Sequence, residues 1–309
     1  LLGIVTGVWD YIKNSGKFPA AATWGMDWVG MLPGKREARR IVGDHMLKQQ
    51  DLMGLNGEFE DAVCIGGWNL DEHPPTGFDD PSKPPFVSVK LPGVYNIPLR
   101  SLYSKTVRNL MMAGRNISAT HTAFTSTRVM ATCAVEGQAA GTAAALAARH
   151  GLLPRGLYDD KARLKAYQQT LLRDDQTIKG LRNDDPADLA RTATATASAE
   201  EGDAKAANVL TGFVRDVGAT WANRWAAPLA ADGAWLQLSW DKPQTVRHVQ
   251  LTFDSGFQRE LTLSSSDGTN KDIVRAPQPE TVRDYRVQVK PEGGDWVDVA
   301  AVTNNHQRL

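Results

Sequence analysis

The residues best placed to do chemistry lie between 110 and 141. An apolar run at 110–113 reads as a buried strand, the turn Gly114-Arg115-Asn116 follows, and a helix starts near Ser126. A helix N-terminus carries unpaired N–H groups and a partial positive charge. It suits an anion, a phosphate or a ring carbonyl that gains electron density on reduction. Gly137 and Gly141 sit one turn apart in Gly-Gln-Ala-Ala-Gly. Small residues there admit a flat ligand or another backbone, and an Ala-rich helix packed tightly on a sheet has the same pattern. His121 falls in the loop before this helix, where an imidazole can move protons near neutral pH or simply bond backbone. Arg100 can hold an anionic group or pair with a carboxylate. Lys35, Arg36, Arg39 and Arg40 form a basic cluster, read either as a solvated face or as a contact for an anionic substrate. Asp44 and His45 are adjacent, so on a helix they point apart and form no dyad. Asp71, Glu72 and His73 imitate a metal cluster, but adjacent residues rarely converge on one ion. Cys133 reads as a small buried hydrophobe.

The elements that must position these residues follow from pattern. Residues 1–11 look like the inside of a helix. Residues 35–52 are expected to be helical, with Gly43 inside at a cost of about 1 kcal/mol relative to alanine. Residues 66–91, rich in Pro, Gly and Asp, read as a long loop. The Ala-rich helix is expected over 126–149, capped by Thr125 or Ser126 and stopped by Gly151. A second amphipathic helix carries Leu164, Tyr167 and Leu171 on one face. Residues 174–186, with two Asp-Asp pairs and a Pro, read as a linker. Beyond it the period changes to two. Leu236, Leu238 and Trp240 form one row, Val249, Leu251 and Phe253 a second, and Tyr285, Val287 and Val289 a third, while 191–198 alternate Thr and Ala. Short strands with turns between them predict an antiparallel sandwich or jelly roll.

The 309 residues, with 35 basic and 35 acidic side chains, are enough for one large domain or two ordinary ones, and the zero net charge argues against a charge-driven nucleic-acid binder. Two cysteines, Cys64 and Cys133, exclude a disulfide scaffold and a Cys-based zinc site. The most apolar stretch, 129–148, is interrupted by Glu136 and Gln138 and reads as a buried helix rather than a membrane span. The chain lacks an initiator Met and opens inside a helix, so a fragment is expected.

Four segments carry a resemblance. They are Tyr95-Asn96-Ile97-Pro98-Leu99-Arg100-Ser101-Leu102, then Asn109-Leu110-Met111-Met112-Ala113-Gly114-Arg115-Asn116-Ile117-Ser118-Ala119-Thr120-His121, then Arg128-Val129-Met130-Ala131-Thr132-Cys133-Ala134, then Gly137-Gln138-Ala139-Ala140-Gly141. Together with Leu32-Pro33-Gly34-Lys35-Arg36-Glu37-Ala38-Arg39-Arg40 and Gly43-Asp44, they closely resemble the C-terminal part of the FAD-dependent oxidoreductase family, over about residues 1–178. The resemblance implies an α/β architecture: a partial Rossmann-type FAD domain of the glutathione-reductase-like flavoprotein superfamily, with part of an inserted substrate domain. It implies that Gly114, Arg115 and Asn116 meet the FAD diphosphate and ribityl. It places Ser126, Thr127, Arg128, Val129 and Met130 at the flavin pyrimidine edge, where a helix dipole stabilises the charge of reduced flavin. The family's Gly-x-Gly-x-x-Gly fingerprint is absent, and neither Gly66-Gly67 nor Gly54 with Gly57 fits it. The family carries it near the N-terminus, so this chain alone is expected to bind FAD weakly or not at all.

Residues 186–309 resemble the discoidin or coagulation-factor C-type jelly roll, a galactose-binding-like all-β sandwich, expected here to be truncated. The carriers are Ala187-Asp188-Leu189-Ala190, Asn208-Val209-Leu210-Thr211-Gly212, Asn223-Arg224-Trp225, Trp235-Leu236-Gln237-Leu238 and Tyr285-Arg286-Val287-Gln288-Val289 with Trp296. Such domains bind glycans through rim aromatics, which makes Trp221, Arg224 and Trp225 substrate-contact candidates; the alternative is that Trp225 and Trp235 are core. The expected division is thus 1–185 and 186–309. The expected function is hydride transfer from a small-molecule or glycan substrate to FAD, with Arg100 as a further substrate contact, His121 as base and no metal, in an extracytoplasmic setting inferred from the appended domain. The alternatives are a carbohydrate-binding protein with a degenerate flavin domain and, more weakly, an adhesion protein.

Overall fold

The computed structural model describes residues 2–30, 32, 34, 36–216, 220–259, 261–263 and 267–309. Pro33 and Lys35 of the quoted motif lie outside these. The chain divides into two units, Leu1–Tyr167 and Gln168–Leu309, the division falling within a helix. The described residues form a mixed helix and strand architecture with four small antiparallel ladders.

In the first unit, α1 (Leu2–Asn14) is followed by a long irregular stretch and the short α2 (Gln49–Leu52). The core is built on β1 (Ala62–Gly66) and β4 (Tyr95–Pro98), paired antiparallel with Cys64 opposite Ile97 and Gly66 opposite Tyr95. Both strands are almost wholly buried: β1 is an unbroken apolar run, and in β4 the buried Asn96 amide donates to Glu58 at 2.9 Å. Gly66 has no alternative, because a Cβ there would lie 2.4 Å from the Tyr95 ring. Between these strands, β2 (Leu70–Glu72) and β3 (Val87–Val89) pair antiparallel. After β4 come α3 (His121–Thr127), α4 (Met130–Arg149), α5 (Pro154–Asp159) and α6 (Lys161–Arg173). α4 packs on β1, and the buried Tyr167 phenol of α6 donates to the Ala139 carbonyl of α4 at 2.6 Å.

Four expectations are corrected. The 35–52 helix is not formed: the chain runs extended between two neighbours and is helical only in α2. Ile41 N–H donates to Asn116 O, Leu47 N–H to Ser118 O, Thr120 N–H to Leu47 O, His45 N–H to Arg100 O and Lys105 N–H to Val42 O. Gly43 lets this strand-like segment in, since a Cβ there would lie 2.2 Å from the Arg100 carbonyl. The loop at 66–91 contains the β2–β3 ladder. The strand at 110–113 is reduced to one bridge, Met111 to Tyr103, and its side chains are half-buried. The helix expected over 126–149 is two helices, because Val129 is extended (φ −72°, ψ 148°). The Ser/Thr run explains the break: Thr125 Oγ1 bonds back to Thr122 O, and Ser126 donates to the Trp68 carbonyl, so local and tertiary bonds compete with helix continuation.

In the second unit, β5 (Thr194–Ala197) pairs with β6 (Leu236–Ser239), α7 (Asp267–Asn270) is one turn, and β7 (Tyr285–Val289) pairs with β8 (Val297–Val302). The row Val249, Leu251, Phe253 is not a strand; Phe253 N–H goes to Arg308 O and its ring sits 5.0 Å from Tyr285. The two ladders here do not by themselves make a jelly roll.

Candidate functional site

The expected site residues fall into separate groups. The first is the turn after Ala113. Gly114 has φ +92°, the left-handed region that favours glycine. A Cβ on Gly114 would lie 3.8 Å from Cys133 Sγ, so this turn lies against the first turn of α4. Cys133, expected to be buried, is half-buried; burial pushes its thiol pKa up, the nearby Glu136 adds to this, and Arg115 opposes it. Arg115 is exposed and Asn116 half-buried, with the Asn116 amide nitrogen 3.0 Å from Met112 Sδ. The Met130 side chain at the start of α4 is 88% exposed, while Val129 is half-buried and Thr132 buried. Under the turn lies Glu136, fully buried, whose Oε2 accepts from Gly114 N–H at 2.6 Å.

Ser126 and Thr127, expected at the flavin edge, are the buried end of α3. The Ser126 hydroxyl is taken by Trp68 O and by Tyr95, whose phenol donates to it at 2.7 Å. Thr127 Oγ1 is buried without a partner.

The second group surrounds Phe124. His121 is not in a loop but is the first residue of α3, just after the cap residue Thr120. Its Nδ1–H donates to Glu37 at 2.8–2.9 Å, and its Nε2 lies 3.8 Å from Glu72 Oε1. Glu37 also pairs with Arg40. Burial acts to raise the Glu37 carboxyl, but the hydrogen bonds from His121 and Arg40 together hold it below the usual carboxylate range. The Arg40 and Arg128 guanidinium groups lie 5.4 and 5.7 Å from the Phe124 ring centre, and His121 stacks on the same ring at 6.4 Å. Arg128 donates to Asp71 O at 3.0 Å, and burial, with Arg36 nearby, lowers its pKa.

The remaining candidates are engaged elsewhere. Arg100 grips Asp61, which is fully buried, through two bonds of 2.9 and 3.0 Å and lies over Tyr158. Asp44 and His45 do diverge, Asp44 to Tyr103 and Arg155, His45 to Asp51. His73 donates from Nδ1 to Pro85 O. In the second unit, Arg224 pairs with both Asp216 and Asp254 and lies 5.5 Å from the Trp221 ring. Trp225 donates to Ala199 O. Trp225 is half-buried and Trp235 53% exposed, so neither is a core residue; Trp221 is 43% exposed. Gly137 and Gly141 lie on an exposed face of α4 with no neighbour within 4 Å.

The pattern gave no signal for Glu37 and only a weak one for Glu136. Glu37 is distant in sequence from His121, and Glu136 breaks an alanine run, which was its only signal.

A family model described as FAD dependent oxidoreductase matches residues 2–171, more than half of the chain. The chain belongs to the FAD-dependent oxidoreductase family. Its cofactor is therefore FAD and its chemistry flavin-linked redox. A second model, described as a domain of unknown function (DUF7402), matches residues 188–277. No curated protein and no solved structure matched. The residues at the Gly114 turn are compatible with a flavin: Gly114 N–H is taken by Glu136, but the Arg115 side chain is exposed and the first N–H groups of α4 have no intrahelical partner, donors suited to phosphate or to a ring carbonyl that gains electron density on reduction. Among the described residues of this FAD-dependent oxidoreductase, no helix is long and apolar enough to cross a membrane.

Proposed function

We propose that this FAD-dependent oxidoreductase holds its flavin against the Gly114-Arg115-Asn116 turn and the opening of α4, Val129 and Met130, with Ser126, Thr127 and Arg128 shaping the wall behind. The observation that carries this reading is the Gly114 turn lying against the first turn of α4 within a chain of this family. FAD, when bound, supplies the hydride acceptor. His121 Nε2 takes the proton from a substrate hydroxyl, and Glu37, holding Nδ1–H, fixes the tautomer that leaves Nε2 able to accept it. The substrate class we favour is a carbohydrate-related alcohol met outside the cytoplasm. The half-exposed rings of Trp221 and Trp225, on a discoidin-like second domain covering 186–309, support that choice. Arg224 would then orient Trp221 rather than bind sugar itself, and Arg100 would act through Asp61.

In protein loaded with FAD, His121→Ala should slow flavin reduction by about 10²–10⁴-fold while leaving FAD affinity nearly unchanged. Unaltered stopped-flow reduction would remove His121 from the chemistry. Protein that takes up no FAD yet binds a glycan would favour the carbohydrate-binding alternative.

A further inference from the structure

Glu136 is a carboxyl that the proposed chemistry does not use, and its surroundings are unusual. It faces inward from α4 and is fully buried. Oε2 accepts from Gly114 N–H at 2.6 Å, and Oε1 is buried with no partner. We infer that Glu136 is a positioning residue for FAD: as a neutral acid it holds the Gly114 turn in place, and its ionisation weakens cofactor binding. This rests on the reading that the Gly114 turn touches FAD.

The groups facing Glu136 make the ionisation specific. They are the Cys64 thiol from β1, the Tyr95 phenol from β4 and the Cys133 thiol one turn earlier on α4. Tyr167 reaches α4 from α6. Burial pushes all four upward, so they stay neutral when Glu136 ionises. Burial also pushes Glu136 up, to about 8, against the opposing hydrogen bond from Gly114. Arg115 is the nearby cation and acts on Cys133. A neutral acid beneath the turn adds no charge next to an anionic diphosphate. An ionised one adds a buried negative charge, which is repelled by the diphosphate at low effective dielectric. The sign is therefore fixed: a carboxyl with a raised pKa is protonated at low pH, so FAD affinity is full below about pH 8 and falls above it.

The test is the FAD dissociation constant, measured by flavin fluorescence across the pH range for the wild type, Glu136→Gln and Gly114→Ala. For the wild type it should rise about tenfold on passing through the Glu136 transition, the size expected for one added charge at short range. Glu136→Gln keeps an acceptor for Gly114 N–H and should give a flat profile. A flat wild-type profile, or the same rise in Glu136→Gln, overturns the role of Glu136. If Glu136→Gln fails to fold, infrared detection of the buried protonated carboxyl in the wild type replaces it: saturating FAD should raise its titration midpoint, as reciprocal linkage requires. An unmoved midpoint overturns the inference. Gly114→Ala, strained at φ +92°, should weaken FAD at every pH. If it does not, the cofactor placement fails instead.

Discussion

Each unit is stabilised internally by a different force. In the first, Phe124, Tyr103, Tyr167, Leu99, Leu102 and Ile97 are all buried, and the elements of the proposed site belong to that core. In the second, the described residues beyond α6 bury little more than Ile178, Ala204, Ala206 and Thr281. Its fixed points are ion pairs: Arg224 with Asp216 and Asp254, Arg308 with Asp175, Arg259 with Glu280. Apolar packing has no charge for salt to screen, whereas partly exposed ion pairs are weakened by it. The difference teaches that the groups proposed to handle protons sit on an apolar core, while the tryptophan-bearing unit holds its geometry by charge.

Three substitutions sharpen or break that contrast. The largest effect belongs to Phe124→Ala, which removes a buried ring and the surface under His121, Arg40 and Arg128; about 3–5 kcal/mol of stability should be lost. Hydrogen exchange should rise across α3 and α4, and unchanged protection there would deny that packing sets this region. Gly43→Ala comes next. Its Cβ meets the Arg100 carbonyl, so backbone must shift at a cost of about 1–3 kcal/mol. A denaturant midpoint equal to that of the wild type would show that the 41–47 segment can leave its slot freely. Arg224→Ala is smallest, about 1–2 kcal/mol: it strands the nearly buried Asp216 carboxylate, but the arginine it removes is partly exposed, so solvent already weakens the pair. Its cost should shrink as salt increases, read by exchange in residues 216–254. A salt-independent cost would mean that this unit too depends on packing.

Legibility followed the reach of the interactions. Helix α1, the helix with Leu164, Tyr167 and Leu171, and the Thr/Ala strand β5 were all readable, because each is set by a local period. The 35–52 segment was misread for the opposite reason. Its residues tolerate helix, but its N–H groups are claimed by Arg100, Asn116 and Ser118 far along the chain. The α3–α4 break was hidden likewise, since Ser126 is held by Trp68 and Tyr95. The row Val249, Leu251, Phe253 had the right alternation, yet Phe253 bonds Arg308 outside any ladder.

By itself, the sequence determined the family, the flavin and the Gly114 turn, because the first two depend on residue types in fixed order over residues 2–171 and the turn on a glycine where the backbone needs positive φ. Only the tertiary structure decided which carboxylates meet the candidate residues. Glu37 reaches His121, and Glu136 turns inward to Gly114, through folding that brings distant backbone together and strips water from one carboxyl but not the other. Desolvation is a property of the packed surroundings, and no spacing rule along the chain encodes it.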